Sequence, residues 1–282
     1  MSTSFVAFMN KRGIACASDT DMTLYALSKQ EPVAVAVNSY SPIPWDTIIN
    51  AYLRRGDIAL HENFVDYAHS FADFLLTVEG NSKWKHLSED DGNIIFLGYG
   101  TEDIFPSGVE IMVRYDDAEQ KLKCDFKNAY IINHDICSKF FTLGHFENVE
   151  SVFSGCNAQI RKKLIEKQVD CFKKYKQRVT EVFKGTPYEQ AVNEFVSEYD
   201  ERQEFVSLLD KIVECHHKDL FTAIESFSIE DMVKVGEMFV DSNDQLVHLK
   251  NGGNGILRST KELAVITRAE GVVWIKHCLY GV

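Results

Sequence analysis

The sequence predicts an α+β fold in which two β-sheets pack face to face and a helical layer covers the outer face of each sheet. Two observations favour it: strand patterns occur near both ends of the chain, and helical patterns fall into two separate blocks. This layering buries every apolar face at once. The second helical block, from about Asp135 to Leu249, is longer than one layer needs. We therefore expect a single domain over residues 1–282 with a helical insertion at about 160–226.

The first forty residues contain four predicted strands. Ser4–Phe8 and Ile14–Ser18 flank the turn Asn10-Lys11-Arg12-Gly13, which predicts a hairpin, and Leu24–Leu27 and Pro32–Val37 predict a second one. A strand so near the first residue is unusual, because chain termini are normally loosely held. The first strand therefore raises a question of function as well as of fold.

Two amphipathic helices follow. The first starts near Pro44 and ends before Gly56, and its apolar residues recur at i, i+3, i+4, i+7 and i+8: Trp45, Ile48, Ile49, Tyr52 and Leu53. The second covers about 62–78. The polar segment 81–93 predicts a loop, and Trp45 and Trp274 are predicted core aromatics, with surface binding as the alternative.

The rest of the chain contains strands, then helices, then strands. Strands are predicted at 93–100, 108–115 and 121–132, and a last hairpin at 262–267 and 272–280. Within the helical block, Thr186 with Glu189 and Ser228 with Asp231 each predict a capping box at a helix start.

Composition excludes several classes of function. The formal net charge is −12, so nucleic acid or an anionic membrane is a poor partner for this chain. The seven cysteines are odd in number and widely spaced, which is typical of reduced thiols in a reducing compartment. We see no signal peptide and no apolar run long enough to cross a bilayer. The expected location is the cytoplasm.

Motifs for metals and cofactors are lacking, and we expect neither. Adjacent His216 and His217 point about 100° apart on a helix, so they do not suit one ion. The "NGGNG" stretch at 251–255 lacks the pattern of a phosphate-binding loop and predicts a turn. The "FPSG" stretch at 105–108 lacks a nucleophile elbow and predicts the start of a strand.

Several segments, in order, resemble a known superfamily. "GIACASDTDMT" is similar to the second strand of proteasome-type β subunits, and "LYALSKQEPVAVAV" to the hairpin that follows it. "SPIPWDTIINAYLRR", "IIFLGYGTEDIFPSGVEIMV" and "ELAVITRAEGVVWIK" resemble a poorly characterised bacterial family of the same superfamily, the N-terminal nucleophile hydrolases. The resemblance covers about 2–153 and 228–280 and implies a four-layer αββα sandwich.

The resemblance also implies a chemistry. In this superfamily the first residue of the mature chain attacks an amide bond, and its own α-amino group is the general base. An ungapped match through Gly13 places Thr3 at the nucleophile position and Asp19 at the position of a buried, site-organising aspartate. Removal of Met1 alone exposes Ser2, which is the alternative nucleophile. The structural interpretation of Asp19 is a buried or turn-capping residue that binds backbone amides.

Two catalytic supports depart from the family pattern. The lysine expected just after the aspartate is missing, Lys29 is a poor substitute for it, and Gly252-Gly253 follows Asn251 where the family has serine. Two hypotheses therefore stand. The chain is either an N-terminal threonine or serine peptidase or amidohydrolase acting on a peptide or protein, or a non-catalytic scaffold or binding subunit of a homo-oligomer.

Overall fold

The computed structural model describes residues 4–20, 23–28, 31–55, 61–78, 92–116, 118–119, 121–144, 158–198, 201–250 and 260–277. The chain divides into two compact units: Met1–Phe146 with Phe221–Val282, and Glu147–Leu220. The predicted insertion at 160–226 is not tested by this division and stays a prediction.

The first unit contains two antiparallel five-stranded sheets. Sheet A has the order β10-β9-β2-β1-β8, and sheet B has the order β3-β4-β5-β6-β7. The strands of sheet A are β1 (Ser4–Asn10), β2 (Gly13–Ser18), β8 (Ser138–Gly144), β9 (Glu262–Thr267) and β10 (Gly271–His277). Those of sheet B are β3 (Leu24–Ala26), β4 (Val33–Val37), β5 (Asn93–Gly98), β6 (Ser107–Asp116) and β7 (Lys121–Ile131).

Helices cover the outer faces of the sheets. The helices α1 (Trp45–Arg54) and α2 (Phe64–Thr77) pack on sheet B through one apolar cluster, which contains Trp45, Phe71 and Phe96. A helix that we number α6 (Ile229–Lys250) packs on β1, β2 and β9 of sheet A. The capping box predicted at its start is confirmed: the Asp231 N–H donates to Ser228 Oγ at 3.1 Å, and the Ser228 N–H donates to Asp231 Oδ2 at 3.2 Å.

A second apolar cluster lies between the two sheets. Phe5, Ala7 and Met9 of β1 belong to it, together with residues of both sheets. The even-numbered β1 residues face α6 instead, as the contact between the rings of Phe8 and Phe239 shows, with centroids 5.9 Å apart. This alternation follows from the two-residue period of a strand.

The second unit is helical where the structure describes it. The chain forms α3 (Ala158–Phe183), α4 (Glu189–Glu198) and α5 (Glu201–Ser226). An ion pair between Arg161 and Asp210 joins α3 to α5.

The α+β class with two antiparallel sheets is confirmed, and both predicted N-terminal hairpins are present. Trp45 is buried and Trp274 packs against the inter-sheet cluster, as predicted for core aromatics. Among the described residues no helix is long and apolar enough to cross a membrane. The predicted loop at 81–93 lies outside the described residues except for its last residue, where β5 begins.

One sequence prediction is wrong, and another is met only in part. Helix was predicted from about Asp135, but Ser138–Gly144 forms β8, which pairs antiparallel with β1 at the edge of sheet A. The capping box at Thr186 is present in part: the Thr186 hydroxyl accepts the N–H of Tyr188 at 3.3 Å, as an N-cap does. The carboxylate of Glu189, where α4 starts, accepts the N–H of Gly185 at 2.6 Å instead of that of Thr186. The hydroxyl of Thr186 also donates to the carbonyl of Phe183 at 2.7 Å, which ties it to the preceding helix.

Candidate functional site

The start of β1 lies beside the end of β2, and Asp19 joins them. Asp19 follows the last residue of β2 and is 4% exposed. Its Oδ1 accepts the N–H of Ser4 at 2.7 Å, and its own N–H donates to the carbonyl of Ser4 at 3.1 Å. This backbone contact is what the structural interpretation of Asp19 predicts. Its role in an active site stays a prediction.

The two candidate nucleophiles, Ser2 and Thr3, lie outside the described residues. Oδ1 of Asp19 lies 2.7 Å from the main-chain nitrogen of Ser4, the residue that follows Thr3 in the sequence. The side chain of Ser4 lies on the face of β1 that packs against α6, where its Oγ accepts a hydrogen bond from Nδ2 of Asn243 at 2.8 Å.

Four hydroxyl side chains surround the turn that carries Asp19, and we call them the hydroxyl cluster. Oγ of Ser18 donates to Oγ1 of Thr23 at 3.0 Å, Oγ1 of Thr20 lies 2.7 Å from Oγ1 of Thr23, and Oγ of Ser39 donates to Oγ1 of Thr20 at 3.0 Å. Ser18, Thr20 and Thr23 are buried. The cluster fixes the segment after β2 through side chains, where ladder hydrogen bonds have ended.

A second buried carboxylate, Glu262, lies at the start of β9. It is 2% exposed and pairs with Ser18 in the sheet. Its Oε2 accepts the N–H groups of Thr23 at 3.2 Å and of Leu24 at 3.1 Å. Burial, and secondarily the charge of Glu262, raises the pKa of the Cys16 thiol above its ordinary value. The site is therefore acidic and largely closed to water.

The entry to β9 is fixed from α6. Oδ1 of Asp241 accepts the N–H of Thr260 at 2.8 Å and its hydroxyl at 2.7 Å. The N–H of Lys261 donates to the carbonyl of Ser18 at 2.7 Å. The start of β1, the end of β2 and the start of β9 therefore lie at the same end of sheet A, and side-chain carboxylates bind the main chain there.

Sequence analysis did not select Glu262, Thr23 or Asn243. Glu262 carried a usable signal, since it has the same parity in β9 as Ala264 and Ile266, which face the inter-sheet cluster. An acidic residue in an inward position of an apolar strand indicates a buried carboxylate that needs donors. Asn243 carried no such signal, because its partner Ser4 is 239 residues away.

The described residues place no other candidate from the sequence at this site. Lys29 and Gly252-Gly253 lie outside the described residues. His216 and His217 lie on α5, and nowhere in the described ranges are three His, Cys, Asp or Glu side chains grouped to hold a metal ion. Ser107 opens β6 as predicted for the "FPSG" stretch.

Chemically, the arrangement ties the start of β1 to the end of β2 through Asp19 and adds a second buried carboxylate, Glu262, at the start of β9. Two carboxylates in a water-poor setting favour the protonated form of a nearby amine. A general base must instead be neutral when it accepts a proton. The missing lysine therefore matters, since a cation there would offset both carboxylates.

Comparisons with known proteins give a likeness to solved structures and no match of the sequence to a family or a curated protein. Among solved structures, the chain is similar to a selenomethionine-labelled mutant of Anbu from Hyphomicrobium sp. strain MC1, with a TM-score of 0.30 and 18% identity. The alignment covers 50% of this chain and 60% of that chain.

Proposed function

We propose that this chain is a proteasome-subunit-like member of the N-terminal nucleophile hydrolases, with a four-layer αββα sandwich, and that it cleaves amide bonds with Thr3 as nucleophile. The observation that carries the proposal is the hydrogen bond from the N–H of Ser4 to the carboxylate of Asp19. It fixes the peptide bond that follows Thr3 against a buried acid at the end of β2. The sequence resemblance assigns the nucleophile to Thr3, the residue before Ser4, and the organising aspartate to Asp19.

Strand parity supports Thr3 over Ser2. The space between the sheets is lined in β1 by Phe5, Ala7 and Met9. Ser18 lies two residues after Cys16 and Glu262 two residues before Ala264, so both are expected to face the same space. Thr3 has the same parity as these β1 residues, and Ser2 does not. A nucleophile at Ser2 would need a bulge in β1, because a one-residue shift exchanges the two faces of a strand.

The proposed reaction begins with cleavage of the Ser2–Thr3 peptide bond. The α-amino group freed on Thr3 accepts the hydroxyl proton in its neutral form. Its ordinary pKa is about 7.7–8.0, and nearby carboxylates raise the pH at which the neutral form prevails. The Thr3 oxygen attacks the substrate carbonyl, and the amine returns the proton to the leaving nitrogen as the C–N bond breaks. Water, deprotonated by the same amine, then hydrolyses the Thr3 ester and releases the carboxylic acid. Peptide or protein substrates, a homo-oligomer and a bacterial cytoplasmic setting are further parts of the proposal that the resemblance supplies.

A second candidate function is that of a non-catalytic scaffold or binding subunit. One observation favours it: Asp19 and Glu262 both bind main-chain N–H groups, which is a structural use of a carboxylate. In this case the contacts stabilise one end of the central strands of sheet A, and the chain catalyses no reaction. Fold alone does not decide between the two functions.

A labelling experiment separates the candidates. The purified protein is treated with a β-lactone, which acylates an activated hydroxyl, and the adduct is located by peptide mass spectrometry. We expect an adduct on Thr3, no adduct in Thr3→Ala, and slower labelling in Asp19→Asn. Ser2→Ala is the matched control, since it removes the neighbouring hydroxyl and should keep the adduct. No adduct on wild-type protein would support the scaffold.

A further inference from the structure

The second unit has little core of its own where the structure describes it. Exposure is described for the side chains of residues 160–197, 203 and 205–220 in this unit, and none of them is buried. Helices in proteins gain most of their stability from packing an apolar face against a neighbour. The described part of this unit therefore leaves apolar side chains exposed.

One exposed apolar stripe runs along α3. It consists of Ile160, Leu164, Cys171, Tyr175 and Val182, all exposed. Their spacings of four and seven residues place them within an arc of about 60° and over a length of about 33 Å. Tyr175 is 74% exposed and Val182 is 67% exposed, which is high for apolar side chains that form a continuous line.

The end of this stripe borders an open cavity. The last three turns of α3 line this cavity of about 360 Å³, and its described lining includes Tyr175, Arg178 and Val182. The side chains along the stripe form ridges and grooves of the kind that a second helix can fill.

A second exposed stripe lies on α5. Leu208 and Ile212 are 54% and 56% exposed, and the free thiol of Cys215 is exposed beside them. These three positions also fall within about 60° of one another around the helix. The unit therefore presents two apolar helix faces of similar character.

Charge indicates which partner fits these faces. α3 has eight Lys and Arg against three Asp and Glu, a net charge of +5. α4 and α5 together have nine Asp and Glu against three Lys and Arg, a net charge of −6. Arg178 lies beside the α3 stripe and Asp219 beside the α5 stripe. A second copy of the chain supplies both an acidic face for α3 and a basic face for α5.

We propose that the second unit is a docking surface for another copy of this chain, with the α3 stripe of one copy packed against the α5 stripe of the other. The contact buries apolar residues at its centre and places opposite charges at its rim, as protein interfaces commonly do. The proposal is independent of any activity at Thr3.

Cross-linking tests the pairing directly, because Cys171 and Cys215 belong to the two stripes. Cys171→Ser and Cys215→Ser proteins are treated with a bis-maleimide, alone and mixed, and cross-linked peptides are identified by mass spectrometry. The Cys171→Ser protein retains Cys215, and the Cys215→Ser protein retains Cys171. We expect these two cysteines to be linked to each other, and only in the mixture. Absence of that link in the mixture would overturn the pairing.

Sedimentation equilibrium tests the apolar contact. We expect wild-type protein to self-associate, and Tyr175→Ser with Val182→Ser to weaken association at least about tenfold, since interface centres carry most of the binding energy. Ile104→Ser is the matched control, because Ile104 is also 74% exposed but lies in the first unit. A monomeric wild-type protein, or association that the double substitution leaves unchanged, would refute the proposal.

A charge exchange tests the orientation. Arg178→Glu and Asp219→Lys should each weaken self-association, and their mixture should recover it, because opposite charges then meet again. Failure of the mixture to recover would contradict pairing of α3 with α5. Binding of monomeric protein to phosphatidylserine vesicles through Tyr175 would instead assign the stripe to a membrane surface and overturn the proposal.

Discussion

Replacing Asp19 with alanine tests how strongly the start of β1 depends on this carboxylate. The substitution removes the acceptor that lies 2.7 Å from the N–H of Ser4, a buried residue. Water does not readily replace the lost partner at a buried site. The change therefore leaves a main-chain donor without the acceptor that it has in the native protein.

The expected cost follows from the type of hydrogen bond. A hydrogen bond to a charged group contributes about 1.5–3 kcal/mol, and an unsatisfied buried donor costs a similar amount. We expect Asp19→Ala to lower the free energy of unfolding by about 2 kcal/mol. Asp19→Asn keeps an oxygen acceptor of the same shape, so we expect a loss of about 1 kcal/mol or less.

Urea unfolding followed by tryptophan fluorescence measures both variants, since Trp45 and Trp274 pack in the first unit. Asp73→Ala, an exposed change of equal charge on α2, is the control and should change the midpoint little. Equal midpoints for wild type, Asp19→Ala and Asp19→Asn would refute the claim that this carboxylate holds β1.

Three further predictions concern the rest of the fold. Gly108→Ala should lower the free energy of unfolding by about 1–3 kcal/mol, because the new Cβ would lie 2.3 Å from the Phe141 ring and overpack the core. Adding Phe141→Leu should partly restore the stability, as measured by urea titration. Ser228→Ala should lower the free energy of unfolding by about 1 kcal/mol, because α6 loses its N-cap, and urea titration measures the change. An unchanged free energy of unfolding would show that the cap is dispensable. Burial raises the pKa of Tyr99 to about 12 from an ordinary value near 10. Since the neutral phenol is favoured in the folded state, stability should be full below pH 10 and should fall, by up to about 3 kcal/mol, as the pH rises toward 12. Thermal unfolding at pH 8, 10 and 11 checks this, and a flat profile would contradict it.

The first hairpin illustrates what the sequence could predict. Lys11 and Arg12 form a two-residue connection between apolar runs, and Asn10 pairs with Gly13 as the turn pattern requires. All the information for this hairpin is local. The last hairpin and the cap at Ser228 were predictable for the same reason.

The edge strand β8 could not be assigned from local pattern. Phe141 is buried between the sheets, whereas the ring of Phe140 stacks on Phe221 with centroids 5.6 Å apart. Because both faces pack, the strand lacks apolar–polar alternation, and a short apolar run without it also fits a helix. Only the pairing of β8 with β1 decides its conformation.

The candidate site shows the same limit. Asp19 was predictable from its place after β2. Glu262 and Asn243 approach the site from more than 200 residues away, so no local pattern connects them to Thr23 or Ser4. Long-range hydrogen bonds of this kind depend on sheet order, which a single sequence specifies only weakly.

The mass of the mature N-terminus tests the central claim most directly. The full-length protein is purified under native conditions and its N-terminal peptide is identified by mass spectrometry. We predict a chain that begins with a free α-amino group on Thr3. A chain in which the Ser2–Thr3 bond is intact would contradict the proposed hydrolase, because the amine that must act as general base would not exist.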